Sequence, residues 1–203
     1  SLAEAAAVPT SGMTALQAMR DVARVAPGQK VLIVGASGGV GSFAVQIAAS
    51  LGAEVTGVCS AGNGELVASL GTDHVIDYAA SDFTARESQY DVILDNVESR
   101  PLSVVRRALT PAGTLIPNSG RGGRLLGPIG RVIRAHVLSP FTRQRLRPFT
   151  SVGTREDLLA LAALASSGQL TPVIDRVYPL DAAADALRHV ATGHTRGKVV
   201  VTI

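Results

Sequence analysis

Residues 30–41, Lys-Val-Leu-Ile-Val-Gly-Ala-Ser-Gly-Gly-Val-Gly, decide how the rest of the chain is read. Lys30 to Val34 is a short, continuous, β-branched apolar run bounded by glycine on both sides. That is the pattern of a strand buried on both faces of a parallel sheet. Gly35, Gly38 and Gly41 follow, with Gly39 between the last two. From Ser42 to Leu51 the apolar residues Phe43, Ile47 and Leu51 recur at helical spacing until Gly52 ends the helix. A glycine triplet set between a strand and a helix has a physical use. The first glycine permits a tight turn, the second lets a pyrophosphate approach bare backbone, and the third lets helix and strand pack closely. Free N–H groups and the dipole at the helix start then favour negative charge, so Gly35, Ser37, Gly38, Gly39, Val40 and Gly41 form a candidate dinucleotide cradle.

The same alternation extends in both directions. Upstream, Leu2 to Val25 reads as a helix closed by Ala26 to Gly28. Downstream, the pattern predicts strands at Glu54–Val58, His74–Ile76, Asp91–Leu94 and Gly113–Pro117, with helices at Glu65–Leu70 and Pro101–Leu109. Strands separated by helices need right-handed crossovers, which gives an α/β fold with a doubly wound parallel sheet. From Asn118 to Thr154 the pattern loosens, with one strand expected over Arg147 to Val152 as the last of the sheet. A helix opens at Thr154, followed by a strand over Val173–Tyr178, a helix over Ala182–Val190 capped by Asp181, and a closing strand over Gly197–Ile203. We divide the chain at residue 153, with the dinucleotide-binding domain and its leading helix over 1–153 and a C-terminal segment over 154–203.

Composition narrows the function classes. No long apolar run suits a membrane span, and the single cysteine, Cys59, has no partner in the chain, so a cytoplasmic setting is expected. With four histidines and no Cys/His cluster at ligand spacing, no zinc site is expected either. The net charge of +3 conceals an asymmetry, because Ser99 to Arg155 holds eleven arginines and no acidic residue. That field suits either a solvated basic face or a non-catalytic module that binds a nucleotide or RNA. The scarcity of aromatic side chains weighs against base stacking and makes nucleic acid the weaker alternative.

The end of the second strand bears on which dinucleotide fits. An acidic residue there accepts hydrogen bonds from the adenosine ribose and repels a 2′-phosphate, whereas this chain has Cys59-Ser60. That favours NADP(H) over NAD(H). Ala61 to Gly64 carries no cation, which leaves a phosphate to Ser60, Asn63, backbone N–H groups and Tyr78.

Taken together, VLIVGASGGVGSFAVQIAASLGAEVTGVCS, SLGTDHVIDY, YDVILDNV, LTPAGTLI and TRGKVVVTI resemble the quinone-oxidoreductase-like, zinc-independent branch of the medium-chain dehydrogenase/reductase superfamily. The resemblance implies hydride transfer from NADPH to a quinone, enone or carbonyl compound. By the same resemblance Tyr78 and Ser60 lie toward the 2′-phosphate or adenine. Asn96, Val97, Asn118 and Ser119 line the nicotinamide or ribose, and Thr14 stands near the nicotinamide. Relatives usually carry glycine where this chain has Glu98, and they begin with a GroES-like barrel that forms the other wall of the substrate cleft. Thr154 to Ile203 is accordingly expected to return to that barrel, and the 203 residues alone are expected to lack reductase activity. No histidine stands out as a general acid, so no catalytic residue is assigned. The resemblance also implies a homodimer through the sheet edge near Arg147 to Val152.

Overall fold

In the computed structural model, residues 1–85, 87–118 and 143–203 are described. Strand β1 (Lys30–Val34) forms as its apolar run dictates, and its side chains alternate between two cores. Val31 and Ile33 enter one cluster, while Leu32 enters the other together with Val34. On either side lie β2 (Glu54–Cys59) and β4 (Tyr90–Asp95), with β3 (His74–Asp77) outside β2. Beyond β4 come β5 (Leu109–Pro117) and β6 (Arg145–Leu146). The six strands are all parallel in the order β3-β2-β1-β4-β5-β6. Strand order therefore reverses between β1 and β4, which opens a crevice at their carboxyl ends.

Helices cover both faces. The first core gathers Phe43 and Ile47 of α3 (Gly39–Ser50) and Leu161 of a later helix (Arg155–Ser166) against Val31, Ile33 and Leu94. On the other face, Leu102 and Val105 of α5 (Leu102–Arg107) pack with Phe83, Tyr90 and Ile93. Helix α4 (Gly64–Ser69) links β2 to β3, and Val67 is its buried residue. The doubly wound α/β class read from the sequence is the class observed.

Several boundaries differ from the sequence reading. The leading helix is three pieces: α1 (Leu2–Ala7), α2 (Pro9–Leu16) and a π-helical segment, Gln17–Ala23, stopped by left-handed Arg24. Pro9 lacks the N–H that would carry the α1 ladder onward. The strand expected over Arg147 to Val152 is not formed. The last sheet strand is the two-residue β6, which lies earlier, and its Leu146 is buried against Leu115 rather than offered at the edge. Phe149 packs on the first core. Residues 119–142 of the arginine-rich stretch, with four of its eleven arginines, fall outside the described residues.

The C-terminal portion starts with α6, the Arg155–Ser166 helix, whose N-cap Thr154 accepts the Asp157 N–H at 3.1 Å. Buried Asp157 also accepts from Gln17 at 2.7 Å and Arg20 at 2.6 Å, tying α6 to the leading helices. Strand β7 (Ile174–Pro179) pairs in parallel with β8 (Lys198–Thr202) as a separate two-stranded sheet, connected through α7 (Ala183–Ala191). Asp181 is not the cap of α7. It lies inside a 3-10 turn, Leu180–Ala182, that precedes the helix and places Ala182 at the cap position.

Candidate functional site

The crevice at the strand ends is a cleft of about 670 Å³. Val34 and Gly35 line it from β1, Val58 to Ser60 from β2, Asn96 and Val97 from β4, and Asn118 from the end of β5. Its floor is the glycine loop. Gly35 turns with φ +76°, and a Cβ there would meet Val97 Cγ2 at 2.8 Å. At Gly41 a Cβ would fall 2.1 Å from the Gly35 carbonyl oxygen, so only glycine allows α3 to lie this close to the loop. Gly38 is different: its Cβ would touch only the Gly35 carbonyl, at 3.4 Å, and otherwise point into open space. The first of these glycines makes the turn, the last permits packing, and the middle one leaves the cradle empty for a ligand.

Helix α3 begins there without a side-chain cap. Its first intrahelical bond is Ser42 N–H to Gly38 carbonyl at 2.9 Å, so the N–H groups of Gly39, Val40 and Gly41 have no partner within the helix. All three residues line the cleft. Three N–H groups at the positive end of a twelve-residue helix, facing a cradle that a Cβ would fill, suit a pyrophosphate. The residues present therefore fit a nicotinamide dinucleotide.

At the β2 end, Ser60 and half-exposed Tyr78 line the cleft, and the Tyr78 N–H donates to Cys59 carbonyl at 3.1 Å. Asn63 is not itself a lining residue. Its amide donates to Ser37 Oγ at 3.1 Å and to Ser60 Oγ at 3.2 Å, so it fixes two hydroxyls that do face the cleft. Burial raises the pKa of the neighbouring Cys59 thiol, and the carboxylate of Asp77 adds to the effect.

The β4 end is held by a chain of amides. Asn96 donates to Val34 carbonyl at 3.0 Å, and Asn118 donates to Asn96 Oδ1 at 2.8 Å. Buried Asp95 accepts the N–H groups of Val97 at 3.2 Å and Glu98 at 2.8 Å, which bends the chain after β4. Glu98 sits at φ +56°, a left-handed position that glycine would occupy without strain.

Ser119 lies outside the described residues. Thr14 is not among the lining residues, and its hydroxyl donates to Thr10 carbonyl at 2.8 Å within α2. Sequence reasoning passed over Phe83, Ser99, Arg100, Gly193, His194 and Thr195, all of which line the cleft. The last three come from the turn between α7 and β8, and only folding brings that turn to the β2 end. The unused signal was the glycine pair Gly193 and Gly197, both at positive φ, which brackets a tight turn before a strand.

The comparisons agree with this geometry. A family model described as zinc-binding dehydrogenase matches residues 70–201. A chloroplast envelope quinone oxidoreductase homolog of Arabidopsis thaliana is 35% identical, with 98% of this chain and 61% of the relative aligned. A mitochondrial NAD(P)H oxidoreductase of Bos taurus is 34% identical over 98% of this chain and 55% of its own length. Among solved structures, the quinone oxidoreductase from Coxiella burnetii superposes with a TM-score of 0.82 at 31% identity, covering 98% of this chain and 60% of that one. The chain thus spans a little over half the length of these relatives.

Proposed function

The chain belongs to the zinc-binding dehydrogenase family, on the quinone-oxidoreductase-like branch of the medium-chain dehydrogenase/reductase superfamily, and from that premise we propose that it is the NADP(H)-binding portion of an oxidoreductase. Its substrate class is a quinone, enone or carbonyl compound. The observation that carries the reading is the glycine loop, where three N–H groups without helical partners meet an open cradle at Gly38. Bound in that cleft, NADPH supplies the hydride.

The chain's own residues bind and orient. The N–H groups of Gly39, Val40 and Gly41 take the pyrophosphate, and Ser60, steadied by Asn63, faces the adenosine ribose with Tyr78 beside it. Residues 60–64, directly after β2, carry no carboxylate to take the ribose hydroxyls and repel a 2′-phosphate, which supports NADPH over NADH. The linked amides of Asn96 and Asn118 offer polar contacts at the opposite end, where Val97 gives an apolar face that helps exclude water.

Zinc-free hydride transfer is part of the proposal, resting on one cysteine and four histidines without ligand spacing. So is the assignment of residues 154–203 as a segment that returns to a catalytic barrel, which would supply the second wall of the substrate cleft. A two-fold dimer through the sheet edge near Arg147 to Val152 and a cytoplasmic location complete it, although two of the relatives are named for the chloroplast and the mitochondrion. Among the described residues no helix is long and apolar enough to cross a membrane.

Steady-state oxidation of NADPH by the full-length protein, with a panel of quinones, enones and aldehydes as acceptors, tests the activity. Turnover of at least one class is expected, at a rate higher with NADPH than with NADH. An absence of acceptor-dependent oxidation across the panel, in a protein shown to bind NADPH, would remove the enzymatic reading.

A further inference from the structure

Away from the nucleotide cleft, the fold leaves a second hollow. It is an open groove of about 680 Å³, lined by Gln46 and Ser50 of α3, Ser69 and Leu70 at the end of α4, and Gln169 and Thr171 of the turn before β7. Among the described residues none lines both sites. The amino end of α3 faces the cleft and its carboxyl half faces the groove, so a ligand in one does not occupy the other.

Hydrogen bonds fix the floor of the groove. The Gln46 side chain is buried, and its amide nitrogen donates to Ser42 carbonyl at 2.9 Å and to Thr171 carbonyl at 3.0 Å. Its oxygen accepts the Thr171 N–H at 2.7 Å, which clamps the turn onto α3 across 125 positions of sequence. The two serine hydroxyls are committed as donors, Ser50 to Ile47 carbonyl at 2.8 Å and Ser69 to Leu66 carbonyl at 2.7 Å. A hydroxyl whose proton is used in this way has only lone pairs left to offer a ligand.

The field has the same preference. Helices α3, α4 and α6 all end at this groove, at Ser50, at Ser69 and just before Gly168. Carbonyls without helical partners give a helix carboxyl end partial negative charge, which a basic residue in the last turn offsets. None of these three helices has one, and no lining residue among those described is charged. The groove is therefore rich in acceptors and negative in field, while Leu66, Leu70 and Val173 supply apolar wall.

We infer that this groove is a second ligand site, which takes a small organic cation. Its ammonium donates to Ser50, Ser69 and the helix-end carbonyls, and its alkyl arm lies on the apolar wall. A carboxylate or phosphate would meet the negative ends of three helices. A bare metal ion would find no carboxylate to replace its water and would leave the apolar wall uncovered. The inference is independent of the nucleotide-binding reading.

Amide chemical-shift mapping of the isotope-labelled full-length protein tests the site with three probes of one chain length. n-Pentylammonium carries charge and donors, n-pentyltrimethylammonium carries charge alone, and 1-pentanol carries a donor without charge. Saturable shifts are expected for n-pentylammonium at Ser50, Ser69, Gly71 and Gly168, with an affinity roughly tenfold or more above the other two, the factor for a charge-assisted hydrogen bond. Ser50→Lys puts a tethered ammonium at the exposed end of α3, and it should remove this binding without lowering the melting temperature. Ser69→Ala should weaken the binding roughly threefold, the loss of one acceptor. An absence of saturable shifts, or shifts confined to residues outside the groove, overturns the inference. So does equal affinity for 1-pentanol, which would make the groove merely apolar, or for the quaternary ion, which would leave the acceptors without a role. Undiminished binding to Ser50→Lys overturns it as well.

Discussion

The backbone N–H of Gly197 donates to the carbonyl of Ser37 at 2.8 Å, joining the start of β8 to the middle of the glycine loop. Through this bond the C-terminal segment and the phosphate cradle share one position. Gly197 can be there because its φ is +72° and because a Cβ would stand 2.3 Å from Val173 carbonyl oxygen.

Gly197→Ala is therefore expected to lower stability by about 2 kcal/mol, from the left-handed backbone cost together with the backbone contact that must move. It should also loosen the 193–196 turn and weaken NADPH binding. Thermal melting and a titration check both effects, and a variant as stable as the parent would show that the turn does not depend on this contact.

Ser60→Asp puts a carboxylate at the end of β2, where it can accept from ribose hydroxyls and repel a 2′-phosphate. The NADPH-to-NADH affinity ratio should fall by roughly tenfold or more, a change of about 1.4 kcal/mol. An unchanged ratio would place the adenosine ribose away from Ser60.

Asp157 is buried, and its carboxyl is held below the usual carboxylate range, first by the Gln17 amide and then by Arg20 and Thr154. A depressed folded-state pKa stabilises the protein above the ordinary carboxylate value, and that contribution is lost as the pH falls through the lower, folded-state value. Asp157→Asn should cost about 1–2 kcal/mol at neutral pH, and the melting-temperature gap to the parent should narrow on acidification below roughly pH 4. A gap that stays constant from neutral to acid would mean that the charge of Asp157 contributes nothing to stability.

Gly41→Ala asks whether helix and loop need their close approach. With a Cβ 2.1 Å from Gly35 carbonyl oxygen and 2.8 Å from Ala36 Cα, backbone on both sides blocks relief, so the variant should melt well below the parent or fail to accumulate. Normal folding would mean that α3 can shift away from the loop at little cost.

The first βαβ unit was legible because each signal in it is local and agrees with the others: the Lys30–Val34 run, the glycine spacing and the apolar periodicity of α3. The ends of β2, β4 and β5 were legible in the same way, whereas the roles expected there for Asn96 and Asn118 came from the family resemblance. The misplaced last strand had no such support. Arg145 and Leu146 form only a two-residue ladder with β5, and the sheet rather than any pattern in the sequence selects them. Asn63 was read as a phosphate contact rather than as a brace for two hydroxyls, and the Gly193–Arg196 turn was not read at all, for another reason. Their roles are contacts to Ser37, Ser60 and Gly62 made by tertiary folding, and in the case of Arg196 the partner lies 134 residues away. Asp95 likewise reads as an ordinary strand-end acid until its bonds to Val97 and Glu98 show that it shapes the turn.

The central claim is that the Gly35–Gly41 loop holds the pyrophosphate of a nicotinamide dinucleotide, and Gly38 tests it most directly. Gly38 lines the cleft, a Cβ there would meet only the Gly35 carbonyl within 4 Å, and its backbone, at φ −82° and ψ 179°, suits any residue, so Gly38→Val should keep the fold while filling the cradle. Calorimetric titration with NADPH should give one-to-one binding for the parent and no detectable binding for Gly38→Val, with matching circular dichroism melts. Equal affinity in the two proteins, or a folded parent that binds no nicotinamide dinucleotide, would contradict the account.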